Sequence, residues 1–276
     1  FVFVAASCGS DDSSSDDTTA PDSTEAVTDD TTEGGDDESA PVTADGEVDT
    51  SVVVDTDTPV YGGTLTMGLE AEANGFRPWE DGCSEPCINM ARTFFDVLAQ
   101  QNSDGDYEGF LAESIEPNDD FTVWTVTLRP DVVFHNGVPL TAQTLVDMFA
   151  IQQTGAISSG LIATVGLLSV EATDELTVVY TLGSPNSAFP SALSQVALGY
   201  VFEPGEATAN ADGFSTAPVG TGPFVMESRD IDNETIVVRN ENYWRTADNG
   251  DQLPYLDSVS FRPIPDEGTR LDALIS

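Results

Sequence analysis

Cys83 and Cys87, in "DGCSEPC", and the single histidine, His135, are the side chains in the body of this chain that could carry thiol or metal chemistry. In an exported chain, two cysteines at that spacing read first as a disulfide closing a small loop around Pro86. A structural zinc site would need two more ligands, and beyond His135 the only other thiol is Cys8. Nucleophilic catalysis finds no footing either. There is no G-x-S-x-G elbow, and a lone histidine sets up no Ser-His-Asp order. Pairs of acids are abundant, but among 49 acidic side chains they carry no information. No catalytic residue, metal or cofactor is expected.

Cys8 raises a different question. It follows the apolar stub "FVFVAAS" and precedes a run of Asp, Glu, Ser, Thr, Gly and Pro. The stub is too short to span a bilayer, which takes about 20 apolar residues. Small residues at Ala5, Ala6 and Ser7 suit a signal-peptide cleavage site, so residues 1–7 are expected to be a signal-peptide remnant. The site resembles the lipobox of bacterial lipoproteins, except that Ala5 stands where those usually carry Leu. The resemblance implies that Cys8 becomes the N-terminus and carries the lipid through its nucleophilic sulfur. The alternative is an ordinary secretory signal followed by a free cysteine. Residues 8–58 hold too little apolar surface to offset the entropy of ordering them, and their like charges repel. They are expected to form a disordered acidic linker between lipid and folded body. That places the protein outside the cytoplasm, anchored to the cell membrane on its periplasmic or cell-surface side.

The formal net charge is −41, and all 8 basic residues are Arg. Nucleic acid is excluded as a partner, because gripping phosphates needs a basic face. The acidic excess favours solubility and suits a salty medium that screens self-repulsion.

Folded sequence is expected from about Tyr61. "GGTLTMGLE" alternates like a strand leaving a Gly-Gly turn, and "PCINMARTFFDVLAQ" carries helical spacing at Ile88, Ala91, Phe94 and Phe95. "FTVWTVTL" alternates cleanly. In "RPDVVFHNGVPLTAQTLVDMFAIQQ" a strand end and an Asn-Gly turn precede a helix near Thr141. Thr141 is a candidate N-cap, but Thr144 in place of Glu or Gln leaves the capping box incomplete. "LLSVEATDELTVVYTL" reads as a hairpin and "SAFPSALSQV" as a short helix. "ETIVVRN" and "LDSVSFRPIP" read as strands, and "DEGTRLDALIS" opens a helix. The class is mixed α/β without a regular βαβ rhythm.

Four stretches together carry a family likeness: "WTVTLRPDVVFHNGVPLTAQTLVDMF", "PVGTGPF", "RNENYW" and "LPYLDSVSFRPIPDEGTRLDAL". From Gly62 onward the chain resembles the family 5 extracellular solute-binding proteins, the binding components of ABC importers for oligopeptides, dipeptides and nickel. The resemblance implies a periplasmic-binding-protein-like two-lobed fold of type II, in the large peptide-binder class. This sequence would hold the N-terminal half, with the second lobe outside it. Residues 61–95 and 204–276 would belong to the first lobe, and 96–203 to a subdomain attached to it. Peptide or small-solute capture by hinge closure would follow, with delivery to a permease driven by ATPase subunits. Nickel, opine or sugar cargo on the same fold is the alternative, or a surface adhesin or sensor component without transport. Ser84 and Glu85 are the candidate ligand contacts, on a loop held by a Cys83–Cys87 bridge; the competing reading is a pinned surface loop. Trp79 is a candidate apolar wall of the site or a core residue. His135 invites a nickel-ligand reading but sits within the family signature, where structural duty fits better. Tyr243 and Trp244 read as packing anchors with no binding role.

Overall fold

The computed structural model describes residues 59–275. The expectations for Cys8, residues 1–7 and the linker to residue 58 fall outside that range. In chain order, β1 (Thr64–Leu69) is followed by α1 (Glu85–Phe94), β2 (Ala99–Gln101), β3 (Tyr107–Gly109), β4 (Ala112–Pro117) and β5 (Val123–Leu128). Then come α2 (Ala142–Gln152), α3 (Ser158–Val165), β6 (Leu167–Ala172) and β7 (Thr177–Leu182). Four short helices follow: α4 (Phe189–Ala192), α5 (Val196–Gly199), α6 (Pro204–Ala209) and α7 (Ala211–Phe214). The chain continues with β8 (Phe224–Asp230), β9 (Glu234–Arg239), β10 (Ser258–Pro263) and α8 (Glu267–Ile275).

The strands form two four-stranded sheets and a ribbon. One sheet runs β1-β10-β9-β8, with β1 and β10 parallel and the other neighbours antiparallel. The other runs β4-β5-β7-β6, antiparallel throughout, and β2 pairs with β3. Alternation explains the centre of the second sheet. Trp124, Val126 and Leu128 of β5 and Val178, Tyr180 and Leu182 of β7 are all buried, and Trp124 lies opposite Tyr180. Leu145, Met148 and Phe149 give α2 a buried face. Among the described residues no helix is long and apolar enough to cross a membrane.

Two local expectations are corrected. The capping box at α2 is complete. The Thr141 hydroxyl accepts from Thr144 N, and the Thr144 hydroxyl accepts from Thr141 N at 3.1 Å. A threonine at the third position therefore reaches back as a glutamate would. The first helix also stops sooner than its apolar spacing suggests. Phe95 is extended (φ −116°, ψ 134°), Leu98 N donates to Gly199 O at 3.1 Å, and Gly222 N donates to Phe94 O at 3.1 Å. The two groups that would have bonded each other in another helical turn are each satisfied from far along the chain, one by the end of α5 and one by a loop.

Candidate functional site

The geometry begins with a disulfide. Cys83 and Cys87 are bonded, with Cα atoms 5.2 Å apart, and Cys87 is buried in the first turn of α1. That ties the approach loop to the helix start. Ser84 is the N-cap residue, yet its hydroxyl makes no bond to the helix, and both Ser84 and Glu85 are exposed. Glu85, Ile88 and Arg92 follow at helical spacing along one face of α1. Ile88 and Arg92 line a groove of about 590 Å³, and Glu85 is near enough to Tyr200, on the same groove, to push its hydroxyl pKa up. Burial is the main cause of that upward shift, and the Arg92 guanidinium beside the hydroxyl works against it. Gln100 and Gln101 from β2 and Ser194 and Gln195 from the α4–α5 loop supply further polar lining. The groove thus joins the disulfide-pinned helix to the β2–β3 ribbon.

Trp79 lies elsewhere. It is 7% exposed, its ring centroid is 4.5 Å from that of Phe202 and 5.4 Å from that of Phe214, and its carbonyl accepts from Ile157 N and Ser158 N. It is a core residue and does not line the groove. His135 is also accounted for by structure. Its Nε2 faces Gly222 O at 3.1 Å, and Gly220 N reaches its Nδ1 at 3.4 Å. An Nδ1 that accepts and an Nε2–H that donates define the neutral tautomer. Burial holds its pKa down at about 4. Among the described residues, no three His, Cys, Asp or Glu side chains are placed to hold a metal ion.

The residue that organises the groove floor is Asp96, which the sequence did not single out. It is 5% exposed and accepts three hydrogen bonds: Trp244 Nε1 at 2.9 Å, Thr221 Oγ1 at 3.1 Å and Tyr243 OH at 3.2 Å. Its backbone carbonyl takes Val201 N at 2.9 Å. Burial pushes the carboxyl pKa up to about 6 against the pull of those donors and of Arg245. Burial and the Asp96 charge hold the Tyr243 hydroxyl above its ordinary range, so it stays a donor. Tyr243 and Trp244 are thus more than packing anchors. The available signal was one acid inside the apolar run "FFDVL".

Comparison with known proteins places this arrangement. Residues 106–276 match the bacterial extracellular solute-binding proteins, family 5. The chain belongs to that family. Among its relatives, the nickel-binding periplasmic protein of Escherichia coli is 29% identical over 184 residues, covering 64% of this chain and 33% of that protein. The glutathione-binding protein GsiB of Pectobacterium atrosepticum is 29% identical over 184 residues, covering 66% and 34%. Among solved structures, the periplasmic binding protein DppA of Helicobacter pylori, in complex with the peptide STSA, superposes with a TM-score of 0.68. It is 26% identical over 78% of this chain and 45% of its own. This family 5 chain therefore spans about a third of the curated relatives' length, and its α/β architecture is that of the periplasmic peptide-binding proteins.

Proposed function

We propose that the chain is the extracytoplasmic solute-binding component of an ABC importer. It captures peptides or similar small solutes by hinge closure and delivers them to a membrane permease with its ATPase subunits. The observation that carries this reading is the groove beside α1, rich in hydrogen-bonding side chains, on a backbone that superposes on a peptide-bound relative. Ser84 and Glu85 are the proposed ligand contacts, supported by their exposure at the groove end of α1; Trp79 would act from behind, through packing. Residues 61–95 and 204–276 form the first lobe in this proposal and 96–203 its attached subdomain. In support, the first segments furnish β1, β8, β9 and β10, and the second furnishes β4 to β7. A second lobe encloses the ligand only when closed, so ligand shifts the population toward the closed state. No catalysis is ascribed to the chain.

The test is a thermal-shift titration of the full-length protein against peptide mixtures, mono- and oligosaccharides, and Ni²⁺. A bound solute adds about 2.7 kcal/mol of stability at a hundredfold excess over Kd. Peptides are expected to raise the melting temperature; a rise with Ni²⁺ alone would transfer the reading to the cargo of the nickel-binding relative.

The same proposal includes a lipid on Cys8, with the acidic segment 8–58 as its tether, supported by the small residues ahead of the cysteine. Metabolic labelling with a palmitate analogue is expected to tag the wild type and not Cys8→Ser. Equal labelling of both removes the anchor.

A further inference from the structure

Resting on the solute-capture reading, we infer that the groove selects an anionic ligand, an acidic peptide, by docking its carboxylates on Arg92 and Arg245. The reason lies in where this chain spends its few cations. It has 8 Arg against 49 acidic residues, so two arginines without a direct ion pair on one groove stand out. Among the described residues the ion pairs are Arg77–Asp81, Arg229–Glu72, Arg239–Asp257 and Arg262–Glu234. Arg270 spends its Nη1 on the carbonyls of Ile264 and Pro265, and Arg129 its Nε on the carbonyl of Phe110 at 2.6 Å. Arg92 and Arg245 enter none of these pairs, and both line the same groove.

Neither makes a direct ion pair, although the Asp96 carboxylate is close enough to Arg245 to feel its charge. Arg92 is exposed on the last full turn of α1, beside the Tyr200 hydroxyl. Arg245 is half-buried, its guanidinium carbon 4.8 Å from the Phe110 ring centroid and 5.8 Å from that of Trp244. Stacking on aromatic faces orients the guanidinium plane, and a fork of five N–H groups leaves donors for a carboxylate beside the one that meets the Tyr243 hydroxyl. The only carboxylate among the groove-lining residues is Asp96, which is buried and already takes three donors. Glu108, Glu113 and Asp131 line the adjoining cleft, which shares Gln100, Phe110 and Arg245 with the groove, and Glu85 stands at the opposite end, near Tyr200, where it would meet the ligand's amine. Two guanidiniums outside direct ion pairs, set against the one lining carboxylate Asp96, leave a surplus of positive charge among the groove's amide and hydroxyl donors. Its field attracts an anion, and the forked geometry of Arg fits a carboxylate with two parallel hydrogen bonds.

The test is isothermal titration of the full-length protein with two probes, the tripeptide Glu-Gly-Glu and the uncharged-side-chain counterpart Gln-Gly-Gln amide. Glu-Gly-Glu is expected to bind at least about tenfold more tightly, since charge-assisted bonds are the stronger kind. Arg92→Gln and Arg245→Gln are each expected to erase most of that preference. Arg262→Gln, at an exposed ion pair remote in sequence from the groove, should leave both affinities unchanged, as a check on net charge. Raising NaCl should narrow the wild-type preference and leave that of the double variant flat. Equal binding of the two probes, or a preference untouched in both groove variants, overturns the anion inference and leaves peptide capture standing. Binding of neither probe, with a shift by a sugar or Ni²⁺ only, defeats the peptide reading and the inference with it.

Discussion

Replacing Asp96 with Ala is expected to destabilise the fold by about 3–5 kcal/mol, because three donors, two of them on buried residues, lose their acceptor at once. Trp244 Nε1, Thr221 Oγ1 and Tyr243 OH all converge on this carboxylate, and each comes from a different stretch of backbone than Asp96 itself. Against a typical total of about 5–15 kcal/mol, such a loss is a large share, and a urea midpoint reads it directly. Asp96→Asn separates shape from charge. Its Oδ1 can accept from Trp244 and Thr221 while its amide donates to the Tyr243 oxygen, so near-wild-type stability is expected at pH 7. The pH profile then carries the distinguishing result. A carboxyl raised to about 6 in the fold binds more protons there than when unfolded, so its ionisation removes stability as pH rises through that value. His135, lowered to about 4, acts in the opposite sense: its contribution is present above the unfolded pKa near 6.5 and is lost as pH falls toward 4. In the wild type the two effects offset one another across the same window. Asp96→Asn removes the compensating half and is expected to lose about 2 kcal/mol more than the wild type between pH 7 and pH 4. Parallel profiles for the two proteins would show that Asp96 is not the raised group.

The elements that were readable from sequence share one property: their partners lie nearby or their period is strong. β5 and β7 alternate over six residues each, and the Asp-centred turn between β6 and β7 bonds its own backbone, with Asp174 Oδ1 accepting from Leu176 N and Thr177 N. The edge strands β4 and β8 went unanticipated. "AESIEP" and "FVMESRD" expose most of one side and their outer edges meet no partner strand, so neither period nor apolar run marks them. The end of α1 was illegible for another reason. The bonds that stop it come from Gly199 and Gly222, far along the chain, and override a local spacing that favours helix.

The site divides in the same way. Ser84, Glu85 and the cysteine pair stand out because a helix start, a proline and two thiols punctuate a short stretch. Asp96 does not, since its donors are 125, 147 and 148 residues away in sequence. Arg92 and Arg245 look like any surface arginines until the structure shows which of the chain's arginines are already paired. Trp79, an aromatic beside a candidate loop, reads equally well as wall or core; only the positions of Phe202 and Phe214 decide.

Gly222→Ala should be among the most damaging single-methyl additions in the chain, at about 3 kcal/mol or more. A Cβ built there falls 2.5 Å from the Phe94 carbonyl carbon, and one on Gly220 runs into the Phe94 carbonyl oxygen and the Phe95 ring. The obstacles are largely backbone, so no rotamer change relieves them. Nor can the loop step back. Gly222 N is bonded to Phe94 O, and Gly222 O accepts from Asn240 Nδ2 at 2.9 Å and faces His135 Nε2. His135 N in turn donates to Gly220 O at 2.9 Å, which closes the loop against the Asn-Gly hairpin. Gly137 in that hairpin supplies the comparison. It has φ +83° with nothing within 4 Å of a built Cβ, so Gly137→Ala meets backbone strain alone and is expected to cost about 1 kcal/mol. Urea midpoints of the two variants should therefore be well separated, and a Gly222→Ala midpoint equal to that of Gly137→Ala would refute the close-packing account. The consequence reaches the groove, because Phe94 and Phe95 lead directly into Asp96. A loop pushed off the Phe94 carbonyl moves Thr221 away from the carboxylate it serves, which raises the Asp96 pKa further, so the same methyl group is expected to lower stability at pH 7 while softening the loss on acidification.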